Sequence, residues 1–234
     1  FNKNGRTLTT TPEGKILVKN AKRLLAINKN IEKELYSSLT EHRKLDVGIT
    51  LTASVYFIPE ILNIIKAKYP YVHINFHTDI MEDILEKLRF SELEFAIIEG
   101  TGNYKNFTTH LLANDELILI TSPNHPFTKV NEVTWEMIKN EKLILRHKSA
   151  NTRIIFEAYL LSNFDNINNY DVLLEIDNTS LIRHLVRDNH GISIMPRSIC
   201  KTDLNEGHLC EVKIKDFHLE RGVYLVHQKN LNDD

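Results

Sequence analysis

The sequence predicts an α/β fold on parallel sheet, and three observations predict it. Between residues 45 and 98, short apolar runs alternate with amphipathic helical stretches in the order β-α-β-α-β. From residue 116 onward a second, similar set follows. Ahead of both stands one long helix with clear start signals and no neighbour of its own. Two α/β halves joined by extended segments imply two lobes around a cleft, preceded by a helical module.

The opening helix is "TTTPEGKILVKNAKRLLAINKNIEKEL" (9–35). Thr11 is the expected cap and Pro12 takes the first helical position, where its missing N–H costs nothing. Glu13 suits the positive end of the helix dipole. Leu17, Ala21, Leu24, Asn28, Ile31 and Leu35 step by four and three, which is a heptad seam with one polar member. Leu25 and Ile27 widen it, and Lys22, Arg23, Lys29, Glu32 and Lys33 cover the other side. Such a helix is marginal alone and wants a partner. One reading packs it on its own domain. The other makes it a dimerisation helix, with Asn28 fixing register.

After Glu41-His42-Arg43-Lys44 the period changes. "LDVGIT" (45–50) reads as a strand, "SVYFIPEILNIIKAKYP" (54–70) as a helix ending before Pro70, and "VHINFHT" (72–78) as a strand. "IMEDILEKLRFSE" (80–92) and "EFAII" (94–98) give a helix and a third strand, while "TGNYKNFTTH" (101–110) is polar and loop-like. "ELILITSPNHPF" (116–127) opens the second set, followed by the strand "KLILR" (142–146) and a helix over 151–162. "SNFDNINNYD" (162–171) reads as a surface loop, and then come "DVLLEI" (171–176), a helix over 179–187, "GISIMP" (191–196), "CEVKI" (210–214) and "GVYLVHQ" (222–228).

The 234 residues have 42% hydrophobic and 26% charged content, ordinary for a soluble globular chain. A net charge of -2 argues against a large basic, nucleic-acid-binding surface on these residues. Cys200 and Cys210 lack metal-like spacing and fit reduced thiols in a cytoplasm, with a disulfide as the alternative. No apolar run approaches membrane-spanning length, so no membrane partner is expected. The chain opens on Phe1 rather than Met, and the expectation is a fragment of a longer protein.

In open α/β sheets, ligands bind beyond the carboxyl ends of strands, often at helix starts. Four such junctions occur. In "GITLTAS", Thr50, Thr52 and Ser54 follow a strand and open a helix; their hydroxyls are either plain caps or contacts to a carboxylate or inorganic anion. In "LRHKSANTR", Arg146 ends a strand, while Ser149, Asn151 and Thr152 lead into a helix that Arg153 continues. "EIDNTS" combines Asp177, Asn178 and Thr179, and "IIEGTG" ends a strand with Glu99 and Gly100. These sets meet only if the two lobes face each other.

Catalytic readings fare worse. His73 and His77 share a strand face, but a third ligand at metal spacing is lacking, so no metal is expected. There is no nucleophile elbow, no Gly-rich phosphate loop and no paired base, so no catalytic residue and no cofactor are assigned. Trp135 in "TWEMIKN" is a core or lobe-surface anchor.

Several fragments together resemble one family. "FNKNGRTLTTTPEGKILVKNAKRLL" is similar to the last wing strand and linker helix of LysR-type transcriptional regulators, with Phe1, Arg6, Leu8, Thr9 and Gly14 at the corresponding places. "LDVGITLTASVYFIPEILNIIKAKYPYV" resembles the start of their effector domain, and "LEFAIIEG", "ELILITSPNHPF" and "HGISIMP" resemble later signatures in the right order. The resemblance implies a two-lobe, periplasmic-binding-protein-like (type 2) effector domain behind a linker helix that pairs between subunits. It implies residues 1–44 as wing end and linker, 45–115 with 221–234 as lobe I, and 116–220 as lobe II, with crossings near 115 and 221. It implies a homo-oligomer, dimer or tetramer, acting in the cytoplasm. DNA would be bound through a missing N-terminal winged helix-turn-helix, and a small polar effector, an anion or organic acid among the options, between the lobes. The family lines its cleft at Thr50 and Thr52. A subset concerned with sulfur metabolism has "REpGSGTR" where this chain reads "RHKSANTR": Arg146, Thr152 and Arg153 match, but Ala150 replaces the Ser, with Ser149 as a neighbouring substitute. Glu99 would repel a small anion unless Arg146 neutralises it. A transporter's solute-binding protein is the alternative, sharing the two-lobe layout.

Overall fold

A computed structural model describes residues 2–4, 7–39, 43–100 and 102–229. The expectations for Phe1, Arg6, Glu41, His42 and Thr101, and those for the Lys29 and Lys33 side chains, lie outside the described residues.

Strands β1 (Asn2–Asn4) and β2 (Thr7–Thr9) form an antiparallel hairpin with Asn2 opposite Thr9. Helix α1 (Pro12–Leu39) follows, 28 residues and so about 42 Å long. Its start is built as the sequence dictates. The Thr11 hydroxyl accepts from the Gly14 amide at 3.0 Å, and the Thr11 carbonyl accepts from Lys15 N at 2.8 Å. Ala26 is buried, but the seam is bare: Leu17 is 71% exposed, Leu24 68% and Leu35 61%. Asn28 donates within the helix to Glu32 Oε1 at 3.0 Å.

The rest divides into two compact units. The first holds residues up to Ile98 together with Asn103–His110 and Tyr224–Asp234; the second holds Glu99–Gly102 and Leu111–Val223. In the first, β3 (Arg43–Thr50), α2 (Leu51–Lys68), β4 (Val72–Asp79), α3 (Met81–Arg89) and β5 (Phe95–Gly100) realise the expected β-α-β-α-β run. Central β3 is parallel to β4 from Arg43↔Val72 to Thr50↔Asp79, and parallel to β5 from Val47↔Phe95 to Ile49↔Ile97. The core joins Ile84 and Leu88 of α3 to Leu93, Ala96, Ile98, Phe107 and Val226. Gly48 is required here: a Cβ would lie 2.7 Å from both Ile84 Cγ2 and Leu93 Cδ1. The α3 side chains therefore pack on bare β3 backbone.

The second unit contains most of β6 (Phe107–Thr121), then α4 (Trp135–Lys139), β7 (Lys142–Arg146), α5 (Asn151–Ser162), β8 (Asp171–Ile176), α6 (Thr179–Arg187), β9 (Ser193–Pro196), α7 (Arg197–Asn205), β10 (Cys210–Val212) and the start of β11 (Glu220–Gln228). β6 pairs antiparallel with β9 and β10, while β7 and β8 run parallel. The run "LILI" has both faces buried, as a sheet covered on two sides requires. Leu117 and Leu119 join Leu143, Leu145, Phe156 and Leu160 in one core; Ile118 and Ile120 join Ile144, Ile182, Val186 and Ile199 in the other. Trp135 belongs to the first core's aromatic edge, 5.4 Å from Phe217 and 5.9 Å from Tyr159 between ring centroids.

Two expectations need correction, and one helix lies where none was expected. Residues 107–110 are strand rather than loop, because buried Phe107 starts β6. Helix α2 starts at Leu51, three residues before Ser54, because Thr50 is its cap. Helix α7 fills 197–205, where the sequence carries too short an apolar period to be read. Both cysteines are free, and burial pushes the Cys200 thiol up to about 12. Among the described residues no helix is long and apolar enough to cross a membrane.

Candidate functional site

The first unit offers the β3–α2 turn. Thr50 is buried and extended at the helix cap, and its hydroxyl accepts from Ala53 N at 3.4 Å. Thr52 is also buried. Ser54 is different: its hydroxyl donates back to the Leu51 carbonyl at 2.7 Å, a bond that ties it to its own helix. Along this turn the Thr50 hydroxyl is the helix cap and the Ser54 hydroxyl is spent on its own helix.

The second unit gathers more. Arg146, at the end of β7, is buried. Desolvation is the leading influence on its guanidinium and lowers its proton affinity; Asp177 and Glu99 oppose that, and Arg221 adds to it. A guanidinium stays charged under such conditions, so its environment favours an added negative partner. Glu99 is buried, and Arg221 Nη2 lies 3.3 Å from its Oε1. The same Nη2 donates to Asp115 Oδ2 at 2.9 Å, and Nη1 donates to the Thr152 hydroxyl at 3.1 Å. Asp115 also accepts from the Ser198 amide and hydroxyl at 3.1 and 2.7 Å. Asn151 Nδ2 donates to the Glu99 carbonyl at 2.9 Å, tying the start of α5 to the end of β5. The cap of α5 is Ala150, with no side-chain acceptor, so side chains leave this helix start unclosed.

Of the predicted residues, Glu99, Arg146 and Thr152 come together. Arg153 is also buried, but it is committed to structure: it bonds Glu157, the Arg146 carbonyl at 3.4 Å and Glu175 at 3.3 Å. Ser149 turns to the His147 ring at 3.0 Å on the exposed side. Asn178 caps α6 by accepting from Leu181 N at 3.1 Å, while Thr179 is buried at the first helical position. His73 and His77 have polar partners, Asn75 and Asp46, each at 3.0 Å. The residues missed by sequence reasoning are Arg221 and Asp115. Arg221 faces the same way as Val223 on β11, and Asp115 the same way as Leu117 on β6; that period of two is the signal that both point inward.

The LysR substrate binding domain matches residues 39–233. Relatives include HTH-type transcriptional regulator CysL of Bacillus subtilis, 23% identical over 97% of this chain and 75% of its own length. The activator CmpR of Synechocystis is 26% identical over 97% and 73%. Among solved structures, the effector-binding domain of QuiR with shikimate superposes at TM-score 0.68 and 20% identity, covering 81% of this chain and 88% of that one. The Synechocystis CcmR regulatory domain with 2-PG does so at 0.70 and 20%, covering 81% and 90%.

Proposed function

The chain belongs to the LysR substrate-binding domain family and is the ligand-sensing part of a LysR-type transcriptional regulator; from that premise we propose which residues do the sensing and how the protein assembles. The effector is a small polar molecule carrying at least one anionic group. Arg146 and Thr152 of lobe II, with Thr50 and Thr52 of lobe I, contact it. The two compact units supply the lobes, the first as lobe I and the second as lobe II, so Glu99, Asp115 and Arg221 count with lobe II instead of with 45–115 and 221–234. The observation that carries this reading is the buried Arg146 beside a helix start without a side-chain cap. Relatives bound to shikimate and 2-PG support the effector class, since both are small polar ligands. Glu99 does not stand against an anion here, because Arg221 is its close cationic partner.

Helix α1 supports self-association. Its exposed Leu17, Leu24, Ile31 and Leu35 form a seam that a second copy of α1 covers. A DNA-binding domain linked to such pairs would act in the cytoplasm, where effector binding shifts the balance between subunit arrangements. The relatives are regulators rather than enzymes, which supports a sensor over a catalyst.

A thermal-shift screen of inorganic anions and small organic acids tests this. An effector that binds the folded state raises the melting temperature. Thr52→Val and Arg146→Met should each remove that rise without altering the ligand-free melting curve by more than a few degrees. A hit whose effect survives both substitutions would move the sensor elsewhere.

A further inference from the structure

Away from the effector residues, two histidines meet across neighbouring strands. His110 lies on β6 and His227 on β11, which are hydrogen-bonded neighbours in one sheet, and both residues belong to the first compact unit. They stand 117 positions apart, so no sequence spacing announces them. Their Nε2 atoms are 3.2 Å apart, while the ring centroids are 5.4 Å apart and the planes lie 14° from parallel. The two ring radii take up the difference between these distances, so the imidazoles meet tip to tip, nearly in one plane, instead of face to face. His227 Nδ1 lies 2.8 Å from the Gln228 carbonyl oxygen. A carbonyl only accepts, so Nδ1 holds the His227 ring proton and Nε2 presents its lone pair. Phe95 packs edge-on to the same ring at 6.2 Å between centroids. His227 is half-buried and His110 is exposed, so the pair is reached from solvent.

A ring whose second nitrogen donates to a backbone carbonyl has the tautomer and the orientation of a metal ligand. The spacing also suits one ion. Bonds of about 2.0–2.1 Å to imidazole nitrogen span a gap of 3.2 Å at an angle close to tetrahedral, with the ion beside the line that joins the tips. His227 is held in place, and the exposed His110 supplies the tilt. We propose that His110 and His227 chelate a divalent transition-metal ion of the Zn2+ or Cu2+ type. Binding moves the His110 proton from Nε2 to its own Nδ1, so both Nε2 lone pairs meet the ion and the neutral pair keeps its two protons. Among the described residues no group of three or more histidines, cysteines and carboxylates forms a metal cluster, so water fills the remaining positions. Two imidazoles without a carboxylate favour Zn2+, Cu2+ or Ni2+ over Mg2+ and Ca2+. The site shares no residue with Thr50, Thr52, Arg146 or Thr152 and is independent of the effector reading.

Titration calorimetry of the full chain, free of any histidine tag, with zinc chloride tests this. A saturable site is expected that Cu2+ takes more tightly and that excess Mg2+ leaves intact. His110→Ala and His227→Ala should each weaken zinc binding at least about tenfold, since even the loss of an outer-shell partner costs that much. Arg146→Met should leave it unchanged. His110 is exposed, so circular dichroism of His110→Ala should match the parent. Electron paramagnetic resonance of the copper-loaded parent should show two coordinated imidazole nitrogens, and His110→Ala fewer. Zinc binding that does not saturate, that survives His110→Ala, or that excess Mg2+ displaces overturns the proposal, as does a parent copper spectrum with one imidazole.

Discussion

Arg221→Met tests the architecture of the second unit most sharply. Arg221 is 3% exposed and bridges two carboxylates that are themselves buried, Glu99 at 2% and Asp115 at 7%. Methionine keeps much of the side-chain length but removes the charge and every donor. Asp115 retains two hydrogen bonds from Ser198, but neither carboxylate keeps its bridging guanidinium. Leaving buried charge uncompensated costs about 3–5 kcal/mol. For a chain of this size each kcal/mol lowers the melting temperature by about 2–4 °C, so a fall of about 6–20 °C is expected. Differential scanning calorimetry at pH 7 reads it, with urea unfolding as the second measure. The paired variant, Glu99→Gln with Arg221→Met, should recover part of the loss, because one uncompensated charge leaves with its partner. Glu99→Gln alone should also destabilise, since Arg146 and Arg221 then repel without the carboxylate between them. A melting temperature within about 3 °C of the parent for Arg221→Met, or a cycle additive to within about 0.5 kcal/mol, would refute the bridge as the organising contact.

Leu24→Asp should leave the fold intact, because the side chain is 68% exposed, yet lower the mass seen by light scattering; an unchanged mass would remove α1 from the assembly. Gly191→Ala should cost about 1–3 kcal/mol by overpacking, since its Cβ would lie 2.5 Å from the Lys142 carbonyl that accepts from Ile192 N; urea unfolding reads it, and a loss under about 0.5 kcal/mol would refute the close approach. Asp165 is pushed up by burial but held lower overall by donors from Asn169, Asn166 N, Tyr170 and Lys139. A carboxylate with a depressed folded value stabilises above its unfolded value, about 3.9, and loses that contribution as pH falls through the folded one. Asp165→Asn should therefore destabilise by about 1–3 kcal/mol at pH 7 and progressively less below about pH 4; a gap that widens on acidification would contradict the sign.

The fold was legible because its signals are local. Strands β3, β4, β5, β7 and β8 fall within two residues of their apolar runs, since each run is bounded by a cap or a polar turn. Thr11, Thr50 and Asn178 cap as their residue types dictate. Failures came where local signals weaken. Helix α7 begins after Pro196 with no side-chain cap and buries Ile199 and Cys200 within one turn, too short a stretch to reveal a period. The strand residues 107–110 carry two Thr and a His on a partly exposed segment, which composition alone reads as loop.

The candidate site divides along the same line. Helix starts and strand ends announce themselves within a few residues, so Thr50, Thr52, Arg146 and Thr152 could be named from the sequence. The charge that makes Glu99 tolerable could not, because its partner is Arg221 on a distant strand and Asp115 joins across 106 positions. The expected partner, Arg146, does feel Glu99, but the close ion pair at 3.3 Å is made by Arg221. Arg221 is held by Glu99, Asp115 and Thr152, and Arg146 is the guanidinium we propose as the ligand contact. The pair should therefore separate under mutation: Arg221 substitutions act first on stability, and Arg146 substitutions act first on the ligand-induced shift.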